Sequence, residues 1–317
     1  MNERPEKLML LDTASLYFRA FFGVPMIKAP DGTPVNAVRG LLDFTARLVT
    51  DRRPTRVVAC LDADWRPEWR VQLIPTYKAH RVAEVVAHEG GVEIEEAEDT
   101  PDELEVQVPI IIDVLDAFGI PALGVPNYEA DDVIGTLASN ATIPVDVVTG
   151  DRDLFQLVDD ARERRVIYTA SKGVGRADVV DEAWVAEKYG IEGRQYAEFA
   201  TMRGDTSDGL PGIKGVGDKT AAQLLKDYGS LAGVVRAAED PVSAMRPPLR
   251  KKILDALDYL VVAPKVVEVA KDVPIPAGFD DRLPLAPVDP DRVDALAERW
   301  GIESSVRRVT EALALRP

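Results

Sequence analysis

Cysteine is nearly absent: Cys60 stands alone in 317 residues. No disulfide can close within the chain, which fits a reducing compartment and sets the expectation of a cytoplasmic protein. Histidine is as scarce, with only His80 and His88. The N-terminal residues Met1-Asn2-Glu3-Arg4-Pro5-Glu6-Lys7 hold no apolar signal core, and no apolar run approaches membrane-spanning length, so no membrane partner is expected. Positive charge is in deficit too. Lys plus Arg number 38 against 54 Asp plus Glu, a formal net charge of −16. Spread evenly, that charge would exclude the basic footprint of a nucleic-acid binder. It is not spread evenly.

With 46% hydrophobic and 29% charged residues, the chain is long enough for a large core and two domains. Residues 8–11 (Leu-Met-Leu-Leu) read as a buried strand ending in Asp12, and Thr13 to Phe22 as a helix. Residues 36–50 form an amphipathic helix. Residues 56–61 form a second strand ending in Asp62, and residues 121–125 a short apolar segment. Residues 145–149 and 165–169 are further strands, the first closed by Gly150 and then Asp151-Arg152-Asp153. Strands alternating with helices predict a parallel α/β sheet.

Acids recur where such a sheet binds its ligands, outside the carboxyl ends of the strands. Asp12, Asp62, Asp151 and Asp153 fall there. Glu129, Asp131 and Asp132 open a helix, with Asn127 as its expected N-cap and Val133, Ile134, Leu137 and Ala138 at helical spacing. Each acid alone reads as a helix cap or loop residue. Together they need a coincidence, or a cation: two carboxylates ~4 Å apart repel by about 4 kcal/mol at an effective dielectric of 20. An all-oxygen set selects a hard ion, Mg²⁺ or Mn²⁺ rather than Zn²⁺.

Two further stretches stand out. Residues 66–81 carry Arg66, Arg70, Lys78 and Arg81, with Trp65, Trp69 and Tyr77 interleaved or adjacent. Such a segment suits phosphate contact and base stacking; the alternative is a solvated helix face with packed aromatics. Residues 84–116 then hold twelve acids and no Lys or Arg. A loop or short helices are expected there, followed by a helix from about Asp102 to Phe118 that Pro109 would kink.

In the last third, Asp205 and Asp208 precede the turn Gly212-Ile213-Lys214-Gly215-Val216-Gly217, and a helix follows with Ala221, Ala222, Leu224 and Leu225. No strand leads into the turn, so it is not a dinucleotide fingerprint, and the P-loop spacing is missing. A helix-hairpin-helix that presents bare N–H groups to a phosphate fits better. Residues 203–252 hold nine Lys/Arg and six Asp/Glu, a local +3, with a knot at Arg250, Lys251 and Lys252. A surface hairpin with ordinary charges is the alternative. Residues 253–270 read as helical or mixed, 272–290 as a Pro-rich loop, and 291–300 and 303–315 as short amphipathic helices.

These residues resemble the bacterial 5′ nuclease family of flap endonucleases and 5′→3′ exonucleases, including the N-terminal nuclease domain of Pol I-type DNA polymerases. The likeness runs from about residue 8 to 270. It rests on Leu-Leu-Asp12, Asp62, Tyr77-Lys78-Ala79-His80-Arg81, Glu129-Ala-Asp-Asp132, Thr149-Gly-Asp-Arg-Asp153, and Gly204-Asp-Thr-Ser-Asp208 running into Pro211 to Thr220. It implies a PIN-like parallel-sheet nuclease core over residues 1–195, with a helical arch at about 76–108. A helix-hairpin-helix domain at 196–288 and C-terminal helices at 289–317 would follow. No polymerase portion is expected.

The resemblance also implies a divalent-metal-dependent nuclease, a monomer, acting on DNA with 5′ ends, flaps, nicks or gaps. Two or more Mg²⁺ or Mn²⁺ ions would be held by Asp12, Asp62, Glu129, Asp131, Asp132, Asp151, Asp153, Asp205 and Asp208. Asp151, Asp153, Asp205 and Asp208 would lean to one ion; Asp12, Asp62, Glu129 and Asp131 to the other. Lys78 and Arg81 would hold the scissile phosphate, and Tyr77 would stack on the terminal base. Arg66 and Arg70 would contact DNA, as would Lys214, Gly215, Gly217, Lys219 and Thr220 in the hairpin, where K⁺ would bind backbone carbonyls. Two departures stand out. Gly209 occupies a place where the family often has Asn, which implies a looser turn. Residues 84–116 are acidic where an arch often carries cations, which implies a disordered or weakly gripping arch. A PIN-type ribonuclease and a non-catalytic DNA-binding module remain as alternative readings.

Overall fold

The structure is a computed structural model that describes residues 5–82 and 100–315. Six strands form one sheet in the order β3-β2-β1-β4-β5-β6. They are β1 (Leu8–Asp12), β2 (Arg56–Cys60), β3 (Ala122–Leu123), β4 (Val145–Thr149), β5 (Arg164–Tyr168) and β6 (Asp178–Val180). All neighbours pair in parallel except β6, which lies antiparallel on β5. β1 and β4 are buried at every residue, because both faces of a parallel sheet are covered; the one charge inside β4, Asp146, is neutralised by Lys7 and Arg52.

The period of two along a strand sorts these residues between two cores. Leu8, Leu10, Val58, Cys60, Val145 and Val147 face one side, and Met9, Leu11, Val57, Ala59 and Val148 the other. The second side is covered by α1 (Thr13–Gly23), α2 (Asn36–Arg52) and α5 (Val108–Phe118), which the short α4 (Asp102–Glu105) precedes. The first side takes α3 (Glu68–Leu73), α6 (Ala130–Asn140) and α7 (Glu182–Tyr189). It also takes the helical second unit: α8 (Tyr196–Arg203), α9 (Asp218–Tyr228), α10 (Leu231–Glu239), α11 (Pro247–Asp255) and α12 (Leu257–Val267). The chain then crosses back, and α13 (Pro290–Trp300) and α14 (Glu303–Ala314) close the other core against α5 and α2. Arg292 pairs with Asp113 and Asp116, and Arg308 with Asp43, at that seam. No helix among the described residues is long and apolar enough to cross a membrane.

The helix expected over 102–118 is interrupted at Val106 and Gln107, and Pro109 sits in the first turn of α5, where a missing N–H does no harm. Gln107 at the break is fully buried. Its Oε1 accepts from Ala37 and Val38 N–H, satisfying buried amides in the first turn of α2 that have no partner within the helix. The acidic stretch expected to form an arch falls mostly at residues 84–99, outside the described residues.

Candidate active site

The carboxyl ends of β1, β2 and β4 and the start of α6 open into one cavity of about 360 Å³. Asp12, Asp62, Glu129, Asp131 and Asp151 line it with Lys78 and Arg81. A narrower recess continues behind it, where Asp153 and Asp208 join Glu129, Asp131 and Asp151. The expected acids therefore converge from separate parts of the chain, with two corrections described below.

Each acid is held by local structure. Asp12 ends β1 and caps α1: its Oδ1 accepts from Ser15 N–H at 3.0 Å and its Oδ2 from Thr149 Oγ1 at 2.6 Å. Thr149 Oγ1 in turn accepts from Asp151 N–H, tying β4 to β1. Asp62 Oδ1 accepts from Ala130 N–H at 2.8 Å, so the loop after β2 caps the start of α6. Asp205 closes a short antiparallel bridge with Leu210 and accepts from Ser207 and Arg203. Asp208 accepts from Arg81 Nη2 at 2.8 Å. Asp131 and Asp153 accept no side-chain hydrogen bond from the described residues, although both sit among other acids.

The electrostatics follow from that crowding. Burial, with help from Asp62 and Asp151, pushes the Asp12 carboxyl up to about 7. Burial raises Asp208 to about 6, against the opposing pull of Lys78 and Arg81. Asp131 and Asp153 are pushed well above the ordinary carboxylate range, first by desolvation and then by neighbouring acids. Asp62 is raised by the same causes, with Glu129 the main neighbour. Lys78 moves up as well: burial opposes its charge, but Glu129 and the other acids outweigh it. An anionic cluster with too few internal cations is what an oxygen-ligand divalent site requires. Among the described residues no three acids close around a common point to make a finished coordination shell. They line the cavity walls instead, as mutually repelling charges do.

Two of the nine acidic positions expected to hold metal, together with several cations, are placed differently from expectation. Asp132 is fully buried and turned away from the cavity. Its two oxygens accept from Arg70 Nη1 and Nη2, each at 2.7 Å, and it also accepts from Glu129 and Ala270 N–H. With its lone pairs so occupied, it is a brace rather than a metal ligand. Asp205 lies outside the cavity lining and is paired with Arg203, at the margin of the acid cluster. Arg70 is 3% exposed and held by Asp132, Glu129 and Val266 O, so it does not face DNA. Tyr77 is 4% exposed with its hydroxyl donated to Glu129 at 2.7 Å, which leaves no ring face for a base. Arg66 donates to Tyr77 O and Pro75 O and fastens that turn. The N-cap of α6 is Glu129 itself; Asn127 precedes it in the left-handed region.

Lys78 donates to Glu129 Oε2 and to Trp65 O, and Arg81 to Ser207 O and Asp208, so both cations stay beside the acids. Several lining residues carry no signal of their own in the sequence. Ser15 Oγ accepts from Gly150 N–H at the mouth, and Phe18 forms part of the wall. Ser15 is findable as a polar residue three positions after Asp12; Phe18 reads only as a helix aromatic.

The turn expected at 212–217 joins α8 to α9. Gly212 has φ 64, and a Cβ there would lie 2.5 Å from Arg203 O, so only glycine lets the turn press against the end of α8. Ile213 and Val216 are buried beneath it, while Lys214, Gly215, Gly217 and Lys219 are exposed and Thr220 is half-buried. The turn expected to be looser at Gly209 is instead tightly packed.

Residues 7–190 match the family described as 5′-3′ exonuclease, N-terminal resolvase-like domain, and residues 191–291 match 5′-3′ exonuclease, C-terminal SAM fold. A 5′-3′ exonuclease of Streptomyces coelicolor is 60% identical over 306 residues, covering 96% of this chain and 99% of the relative. One of Mycobacterium tuberculosis is 51% identical over 318 residues, 98% of each. The crystal structure of the T5 D15 protein with metal ions superposes with a TM-score of 0.61 at 14% identity, covering 97% of this chain and all of that one. At that identity the likeness is one of fold.

Proposed function

The chain belongs to the 5′-3′ exonuclease family, and from that premise we propose that it hydrolyses DNA phosphodiesters at 5′ ends, flaps, nicks or gaps, with divalent metal ions at the acidic cavity. One observation carries the reading. Acids from β1, β2, β4, α6 and the 205–208 loop meet two cations in the cavity and the recess behind it, and among the described residues nothing donates a side-chain hydrogen bond to Asp131 or Asp153 there.

Asp12, Asp62, Glu129 and Asp131 would hold one Mg²⁺ or Mn²⁺, and Asp151, Asp153 and Asp208 a second, with Asp205 at its edge. Bound there, the ions would lower the pKa of an attacking water and neutralise charge on the displaced phosphate. The chain's own groups do the rest. Lys78 and Arg81 face the cavity and would hold the scissile phosphate as charge builds on it. Glu129, held by Tyr77 and Arg70 on one oxygen and by Lys78 on the other, keeps that lysine in place before substrate arrives. The exposed Lys214 and Lys219, with the N-terminal amides of α9, would hold the duplex backbone. K⁺ would take hairpin carbonyls other than Gly215 O, which accepts from Lys252 Nζ, and Ile213 O, which accepts from Val216 N–H.

Incubation with a labelled 5′-flap duplex in Mg²⁺, Mn²⁺ or EDTA tests this. Cleavage of DNA that stops in EDTA supports it. Cleavage confined to RNA flaps points to a ribonuclease, and binding without cleavage under every metal to a DNA-binding module.

A further inference from the structure

Loop 205–210 and segment 76–81 come from different units of the fold and lie against each other at the cavity edge. Three consecutive carbonyls of the loop are taken by the segment. Thr76 Oγ1 donates to Gly209 O at 2.8 Å, Lys78 N–H to Asp208 O at 3.0 Å, and Arg81 Nη2 to Ser207 O at 2.7 Å. Contact at Gly209 is close enough to exclude any side chain. Its φ is 69, and a Cβ there would stand 2.0 Å from Thr76 O, a backbone atom with nowhere to move. Lys78 is itself left-handed, at φ 48, a conformation that is uncommon and unfavourable for a lysine. The bond from its own N–H to Asp208 O holds it there. From this backbone position its side chain reaches Glu129 and Trp65 O.

We propose that Gly209 and Thr76 are positioning residues. The latch they form holds Lys78 in its left-handed conformation and fixes its ammonium relative to the loop that carries Asp205 and Asp208. The proposal rests on Lys78 acting at the scissile phosphate. Two parts of the site contributed by distant stretches of chain then move as one body, so the phosphate held by Lys78 keeps its distance from the acids of the second unit. Any side chain at this place would put a Cβ into Thr76 O; glycine is what this packing demands.

Gly209→Ala is the direct test, read by single-turnover cleavage of a 5′-flap duplex alongside duplex affinity. Displacing a catalytic group by about 1 Å lowers rate by up to about 100-fold. A drop in kcat of that order is expected, with KM and duplex affinity unchanged. Thr76→Val should reproduce the loss in milder form, and Thr76→Ser, which keeps the hydroxyl, should restore the rate. In a Lys78→Ala background, Gly209→Ala should cost nothing further, because the latch acts through the lysine. Wild-type kcat in Gly209→Ala, losses that add to that of Lys78→Ala, or a Thr76→Ser variant as slow as Thr76→Val would each overturn the proposal. Wild-type cleavage by Lys78→Ala would overturn the reading of Lys78 and the latch with it; a slow Lys78→Ala beside a fast Gly209→Ala overturns the latch alone. Should Gly209→Ala fail to fold by circular dichroism, the Thr76 pair decides.

Discussion

Arg70 and Asp132 form a buried two-pronged ion pair, with each guanidinium Nη 2.7 Å from a carboxylate oxygen. The pair also binds the two units together, through Arg70 Nε to Val266 O and Ala270 N–H to Asp132 Oδ1. Removing one partner leaves an uncompensated charge in the interior, at a cost of about 3–5 kcal/mol. Asp132→Ala is expected to lower the unfolding free energy by that amount in urea denaturation. A loss below about 1 kcal/mol, the range of a surface pair, would show that the interior tolerates the unpaired guanidinium.

Its neighbour in sequence has the opposite part. Asp131 points into the acidic recess and accepts no internal hydrogen bond among the described residues. Asp131→Asn keeps the shape but removes a charge that a cation would need. Cleavage should fall by more than the roughly 100-fold typical when an outer partner of a metal ligand is lost. Stability should hold or rise, since a crowded charge is gone, and duplex binding should be spared. Wild-type cleavage by this variant would refute the metal assignment.

Lys78→Ala separates binding from chemistry. Its ammonium stays charged beside Glu129, and its bond to the phosphate should strengthen as charge develops. The expected loss is about 10²–10³-fold in kcat, with a smaller change in KM. A variant that raises KM alone would place Lys78 in substrate capture instead.

Acidity offers a reading of the metal-free site. Burial raises Asp12 to about 7 from an ordinary 3.8, and Asp208 to about 6. A folded carboxyl with a raised pKa keeps a proton that the unfolded chain releases, so the folded state binds more protons between the two values. Stability is then greatest in acid and falls as pH rises from about 4 through 7. Melting curves in EDTA should show that decline between about pH 4 and pH 7, and saturating Mg²⁺ should flatten it by replacing the protons. A melting temperature in EDTA that stays level across this range would mean the carboxyls are less confined than their positions indicate.

The acids were legible in the sequence because a parallel sheet must place strand ends on one side, so Asp12, Asp62 and Asp151 had to share a face. Asp132 was not separable from Asp131 by type, because a helix start carries both; only the turn of α6 sends one into the cavity and the next toward Arg70. Arg70 and Tyr77 misled for a similar reason. A cation and an aromatic before Lys78 look the same whether they meet DNA or pack inward, and the choice depends on Glu129 and Val266, which are distant in sequence. The break at Gln107 likewise arises from a partner, the start of α2, 70 residues away.

The hairpin lysines allow a test that leaves the chemistry untouched. Lys214 and Lys219 are exposed, away from the acidic recess, and have no ion-pair partner among the described residues. Each phosphate contact releases a counterion, so the slope of log affinity against log salt falls by about 0.9 per contact on duplex DNA. Lys214→Ala with Lys219→Ala should weaken duplex binding equally for every sequence and reduce that slope by about 1.8. Single-turnover cleavage at saturating protein should stay at the wild-type rate, because Lys78 and Arg81 are unaltered. If the slope is unchanged, the duplex lies elsewhere on the protein, and the local +3 of residues 203–252 is only a solvated surface.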